Sequence, residues 1–117
     1  MGLMKKQKIK VQKSPGKGRG IFASKTIKKG EKIEVCELVL LPKSVRNIGR
    51  FQNYLFDYNR HNYAVALGLG SLYNHSRQPN ATWSINDGRL LLRADRKIVK
   101  GKEITISYGY EKRSFIA

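Results

Sequence analysis

The sequence predicts a mostly β domain, and three observations carry that prediction. Apolar residues recur at every second position in several short runs, which is the period of a half-buried strand. Glycines, 11 in 117 residues, punctuate those runs as turns would. No long stretch keeps the 3.6-residue apolar period of an amphipathic helix. A chain of 117 residues has room for one modest core and not for two.

The elements follow in order. Residues 1–8 form a basic arm in which nothing can be buried, so it is expected to be flexible. Residues 9–13 alternate Ile9 and Val11 with Lys10 and Gln12 and predict a first strand. Ser14-Pro15-Gly16-Lys17-Gly18-Arg19-Gly20 reads as a loop, and Ile21-Phe22-Ala23 as a second short strand. The loop lacks the Gly-Lys-Ser/Thr of a nucleotide-binding P-loop and the spaced third glycine of a dinucleotide fingerprint. Lys28-Lys29-Gly30 is a turn, and residues 32–41 form a long strand that stops at Pro42. Gly49 weakens any helix in residues 44–53, leaving a turn or two. Residues 53–58 and 63–67 read as strands around a polar turn at 59–62. Residues 82–85 and 89–92 flank Asn86-Asp87-Gly88, a strong hairpin signal. Ile104 and Ile106 alternate with Thr105 and Ser107 in a last strand, which ends at Tyr108-Gly109-Tyr110.

Composition narrows the class. Lys and Arg number 24 against 8 Asp and Glu, a net charge of +16. The excess is front-loaded: residues 1–30 hold ten cations, and the first acid is Glu31. Such a charge suggests a polyanion as partner, nucleic acid first, tracked by Lys5, Lys6, Lys8, Lys10 and Lys13. The single cysteine, Cys36, excludes an intrachain disulfide and a Cys-rich zinc cluster, which fits a reducing, intracellular setting. Cys36 itself reads as a small buried hydrophobe. No run approaches 18 apolar residues, so no helical membrane span is expected. The N-terminal charges lead into no apolar signal-peptide core, so secretion is not expected either.

Three segments put polar groups hard against apolar runs: Gly18-Arg19-Gly20-Ile21-Phe22-Ala23, then Asn74-His75-Ser76 with Pro79-Asn80, then Glu103-Ile104 through Gly109. In that order and at that spacing they resemble the SET-domain protein lysine methyltransferases, most closely the minimal virus-encoded SET proteins without zinc-binding flanks. The resemblance covers residues 9–111 and leaves 112–117 as a short C-terminal tail. It implies the β-clip SET fold, small sheets with short helical turns and a knot-like C-terminal strand running by the Asn-His segment. It also implies S-adenosylmethionine as methyl donor, a lysine-containing protein as substrate, with histones among the candidates, and no metal. Residence in the nucleus or on the nucleoid would follow if that substrate is chromatin.

Residue by residue, the family motif makes Tyr108 the catalytic tyrosine. Gly18, Arg19, Gly20, Asn74 and His75 match the donor-binding positions, and Tyr54 matches a donor-contacting aromatic. Tyr110, Trp83 and Ile106 fall at the lysine channel. Ser107 stands where many relatives have an acid. The zinc-binding tail that usually closes the channel is missing. Phe115, the only aromatic beyond Tyr110, is expected to cover the donor or the channel mouth, from its own chain or from a second copy in a homodimer. The rival reading is a non-enzymatic nucleic-acid-binding β module that keeps the SET frame and stacks bases on exposed aromatics.

Overall fold

The structure is a computed structural model that describes residues 7–44, 49 and 55–108. Within them lie nine strands: β1 Ile9–Ser14, β2 Gly18–Ala23, β3 Lys32–Pro42, β4 Leu55–Asp57, β5 Asn62–Ala66, β6 Asn74–His75, β7 Ala81–Asn86, β8 Arg89–Ala94 and β9 Glu103–Ile106. One short 3-10 turn, Gly70–Leu72, precedes β6. The strands form two sheets, one in the order β1-β2-β9-β6 and one in the order β4-β5-β3-β8-β7. The expected mostly β fold is present. No helix of the described residues is long and apolar enough to cross a membrane.

The strand periods decide what is buried. Along β9 the residues alternate between half-buried Glu103 and Thr105 and fully buried Ile104 and Ile106. On β8 the same alternation buries Leu90, Leu92 and Ala94. These side chains meet Ile21, Ala23, Ile27, Ile85, Ile98 and Tyr73 in one core shared by both sheets. Cys36 is buried in it, as its place in an apolar alternation predicts.

The Asn-Asp-Gly signal makes the β7–β8 hairpin, with Asn86 paired to Arg89. Asp87 at φ 54° and Gly88 at φ 75° supply the two left-handed residues that a type I′ turn requires. Residues 14–20 differ from their expectation as a loop. Only Pro15, Gly16 and Lys17 turn, closed by Lys17 N–H donating to the Ser14 carbonyl at 3.0 Å. Gly18, Arg19 and Gly20 already belong to β2 and pair with Ser14, Lys13 and Gln12 of β1. Glycine's weak strand preference is overridden here by a crowded tertiary site that admits no Cβ at Gly20.

The site depends on one further connection. β6 lies parallel to β9, with Asn74 opposite Thr105 and His75 opposite Ile106. On its other side β9 pairs antiparallel with β2, Ile21 opposite Ile104. The last strand is thereby threaded between the glycine segment and the Asn-His segment.

Candidate active site

Asn74 is fixed first. Its side-chain amide donates to the Glu103 carboxylate at 2.7 Å and to the Arg19 carbonyl at 3.0 Å. Glu103 is held in turn by the hydroxyl of buried Ser14, which donates to its other oxygen at 2.9 Å. Gly20 completes the packing. A Cβ there would stand 2.3 Å from the Glu103 carboxylate and 2.8 Å from the Asn74 amide, so only glycine lets these groups meet over β2. Asn80 clamps β9 from the other side. Its amide donates to the Glu103 carbonyl at 2.9 Å, and its side-chain oxygen accepts from Thr105 N–H at 2.9 Å.

Tyr108 is pinned at both ends. Its backbone N–H donates to Nδ1 of His75 at 2.9 Å, and its hydroxyl donates to the carbonyl of Tyr73 at 2.7 Å. Neutral His75 must then carry its proton on Nε2. The two rings lie 5.1 Å apart at a tilt of 50°. Tyr108 remains 37% exposed, enough for its face to meet a ligand.

Tyr73 supplies that carbonyl from a rigid position. Its side chain is fully buried, and its hydroxyl donates to Glu34 of β3 at 2.7 Å. Burial, together with the Glu34 charge, pushes the Tyr73 phenol well above its ordinary range and keeps it a donor. The second Glu34 oxygen accepts from Leu69 N–H at 3.0 Å, anchoring the turn that leads into β6. Neighbouring Cys36 feels the same surroundings: burial first, then Glu34, push its thiol up to about 12.

Trp83 approaches from β7. Its ring nitrogen donates to the Ser107 carbonyl at 2.7 Å, and its ring meets Phe56 edge-on at 5.2 Å. It therefore braces the strand end next to Tyr108 while packing against the core. Ile106 is fully buried behind it. At the glycine end Lys17 reaches across to the His75 carbonyl at 3.3 Å, and Arg19 is exposed.

Of the residues expected at the site, Gly18, Arg19, Gly20, Asn74, His75, Trp83, Ile106 and Tyr108 are gathered on and around β9. Tyr54, Tyr110 and Phe115 lie outside the described residues. Sequence reasoning passed over Glu34 and Glu103 as site residues. A partial signal was present: both are among only eight acids in the chain, and each adjoins an isoleucine of its strand, Ile33 and Ile104, that is buried.

Comparison with known proteins agrees with this geometry. The SET domain model matches residues 18–109. A histone-lysine N-methyltransferase of Schizosaccharomyces pombe, specific for one lysine of histone H3, is 31% identical over 108 residues, which cover 86% of this chain and 73% of that protein. An N-lysine methyltransferase of Xenopus laevis is 28% identical over 131 residues, covering 96% of this chain and 39% of its own length. Among solved structures, that of a candidate histone methyltransferase of Plasmodium falciparum superposes with a TM-score of 0.76 at 34% identity, over 90% of this chain and 96% of its own.

Proposed function

Because the chain belongs to the SET-domain family and is a protein-lysine methyltransferase by its relatives, we propose that it carries a methyl group from S-adenosylmethionine to a lysine of a basic, nucleic-acid-associated protein such as a histone. The observation that carries this reading is the convergence of Gly18-Arg19-Gly20, Asn74-His75 and Tyr108 on the two flanks of β9.

The groups at this junction suit such a donor. Lys17 and Arg19 offer cations to a carboxylate, and a Cβ placed at Gly18 would find nothing within 4 Å, so the backbone there is open to approach. Bound there, S-adenosylmethionine supplies an electrophilic methyl on a cationic sulfur, a charge that disfavours the ammonium form of an incoming lysine. That matters because lysine attacks only when neutral, and its ordinary pKa is about 10.4.

The protein's part is then mainly orientation. A hydroxyl has one proton and two lone pairs, and Tyr108 commits its proton to Tyr73, so towards a substrate its oxygen can act only as an acceptor. An acceptor in that place holds a lysine N–H and aligns its lone pair for in-line attack, where small errors of position are costly. Trp83 is the wall beside it in this reading, whereas Ile106, expected at the channel, is fully buried in the core. Lys17 and Arg19 bind the donor's anionic end, and Asn74 and His75 keep the strand under it in register.

Incubation with radiolabelled donor and core histones, nucleosomes and native lysate proteins tests the proposal. Label is expected on lysine side chains, and a chelator should not reduce it. No labelled protein, together with no calorimetric binding of the donor, would overturn it.

A further inference from the structure

The two turns that precede β3 and β9 lock together. Ile27 and Ile98 form a two-way backbone bridge, each N–H donating to the other's carbonyl at 2.8 Å. Gly30 N–H donates to the Ala94 carbonyl at 2.8 Å, Ala94 N–H to Glu31 at 2.9 Å and Gly101 N–H to Ala23 at 2.8 Å. Arg93 adds a side-chain bond to the Gly30 carbonyl at 2.8 Å. Residues 25–32 and 93–102 are thus one rigid surface, with its apolar residues Ile27 and Ile98 turned inward.

What that surface turns outward is almost entirely cationic. The first segment exposes Lys25, Lys28, Lys29 and Lys32. The second exposes Arg93, Arg96, Lys97, Lys100 and Lys102. Nine cations stand against two carboxylates, Glu31 and Asp95. Glu31 is already taken by Lys8, just before β1, at 2.8 Å, and that bond, with the Lys28 N–H donating to the other oxygen, holds its carboxyl below the usual range. Among the described residues, none of the nine cations makes an ion pair. Lys32 and Arg93 even sit directly opposite each other in the β3–β8 ladder, where like charges cost stability. Lys25, Thr26, Lys28, Lys29, Gly30 and Glu31 line a shallow concavity within the first of these segments.

We propose that these interlocked turns are a docking surface for the phosphate backbone of duplex DNA, and that they present a DNA-associated substrate to the site at the far end of β9. Charge complementarity is the argument. The like-charge repulsion built into the surface is relieved by a polyanion, and rigid turns set a fixed array of cations at little ordering cost. The lysine-rich arm predicted for this role is a weaker candidate, because Lys8 is committed to Glu31. Position gives the surface its use. Lys102 precedes β9 and Tyr108 follows it, so five residues, or six steps along the chain spanning at most roughly 20 Å, separate the cations from the expected catalytic tyrosine. A short flexible tail leaving the DNA spans that gap. This second half of the proposal rests on the methyltransferase reading, and the docking itself does not.

The test is fluorescence anisotropy of a labelled 20-base-pair duplex with the full chain between 50 and 200 mM salt. Neutralising four to five phosphates gives a log–log slope of about −4. The variant Lys28→Gln/Lys29→Gln/Lys97→Gln/Lys100→Gln should bind at least about tenfold more weakly at 50 mM, and its slope should shrink by about 0.9 for each phosphate left without a lysine. Its rate on a free lysine peptide should be unchanged, whereas its advantage on the same peptide tethered to DNA should vanish. If that variant does not fold, the two double variants, Lys28→Gln/Lys29→Gln and Lys97→Gln/Lys100→Gln, must each remove about half of the slope. Wild-type affinity in the variants, or no duplex binding at 50 mM, overturns the docking surface. So does equal, lysine-dependent binding to vesicles containing 30% phosphatidylserine. Duplex binding through these lysines with no methylation of either peptide keeps the surface and overturns the methyltransferase reading instead.

Discussion

The proton of the Tyr108 hydroxyl goes to the Tyr73 carbonyl, and the proposed chemistry turns on this one bond. Tyr108→Phe removes the acceptor oxygen and leaves the ring. The loss should fall on kcat, about a hundredfold or more, as for other single oriented groups that act in a transition state. Donor affinity by calorimetry and the urea midpoint should stay near wild type. A variant that turns over normally would move the role to another residue. Asn74, His75 and Tyr108 stand out in the sequence as polar groups at the ends of apolar runs, and only the family resemblance gives them their expected roles. Glu34 and Glu103 were not legible as their supports. What each carboxylate does is set by Tyr73 and by Ser14 and Asn74, tens of residues away, and no local period encodes such a pairing.

At the scale of elements, strands with a strong alternation and turns with special backbone angles could be read directly. β7, β8 and the Asp87-Gly88 turn between them are the clearest case. β6 could not be read: two residues have no period, and a parallel partner leaves no turn between the strands to announce it. The early start of β2 was hidden for a related reason, since Gly20 is explained only by what lies above it. That explanation has a consequence for Gly20→Ala. The new methyl would push the Glu103 carboxylate off Asn74, because the three groups cannot share the space. Stability should fall by about 1.5–3 kcal/mol, the usual worth of a hydrogen bond to a carboxylate, while donor affinity should fall at least about tenfold. Gly16→Ala is the control: it strains a residue at φ 76° with nothing within 4 Å of its Cβ. That strain also costs about 1–2 kcal/mol, but donor affinity should not move. Equal affinities in the two variants would show that Glu103 does not hold the donor site through Asn74.

For the molecule as a whole, the buried acids Cys36 and Tyr73 tie stability to alkaline pH. The Cys36 thiol has an ordinary value of 9.0 and is raised to about 12 in the fold. Above pH 9 the unfolded chain releases this proton and the folded chain keeps it. The contribution is therefore complete below pH 9 and is lost between 9 and 12, at up to about 1.4 kcal/mol per pH unit for one group. Tyr73 is shifted in the same direction. Cys36→Ala should flatten the fall of the urea midpoint over pH 9–11 relative to wild type. Lysine deprotonation affects both proteins alike and cancels in the comparison. Identical slopes would mean that the thiol is not buried in this way.

The position of β9 between β2 and β6 also sets an order of events during synthesis. Ile21 pairs with Ile104 across most of the chain, and such distant pairings form late, after loop closure has been overcome. A nascent chain that has reached residue 102 already contains Gly18, Gly20, Asn74 and His75. It has no Glu103 to receive the Asn74 amide, no Thr105 for Asn80 to clamp and no Tyr108 for His75 to seat. Until β9 arrives, the residues expected to bind the donor are present but unassembled, so a growing polypeptide that stops short of residue 103 has no assembled site.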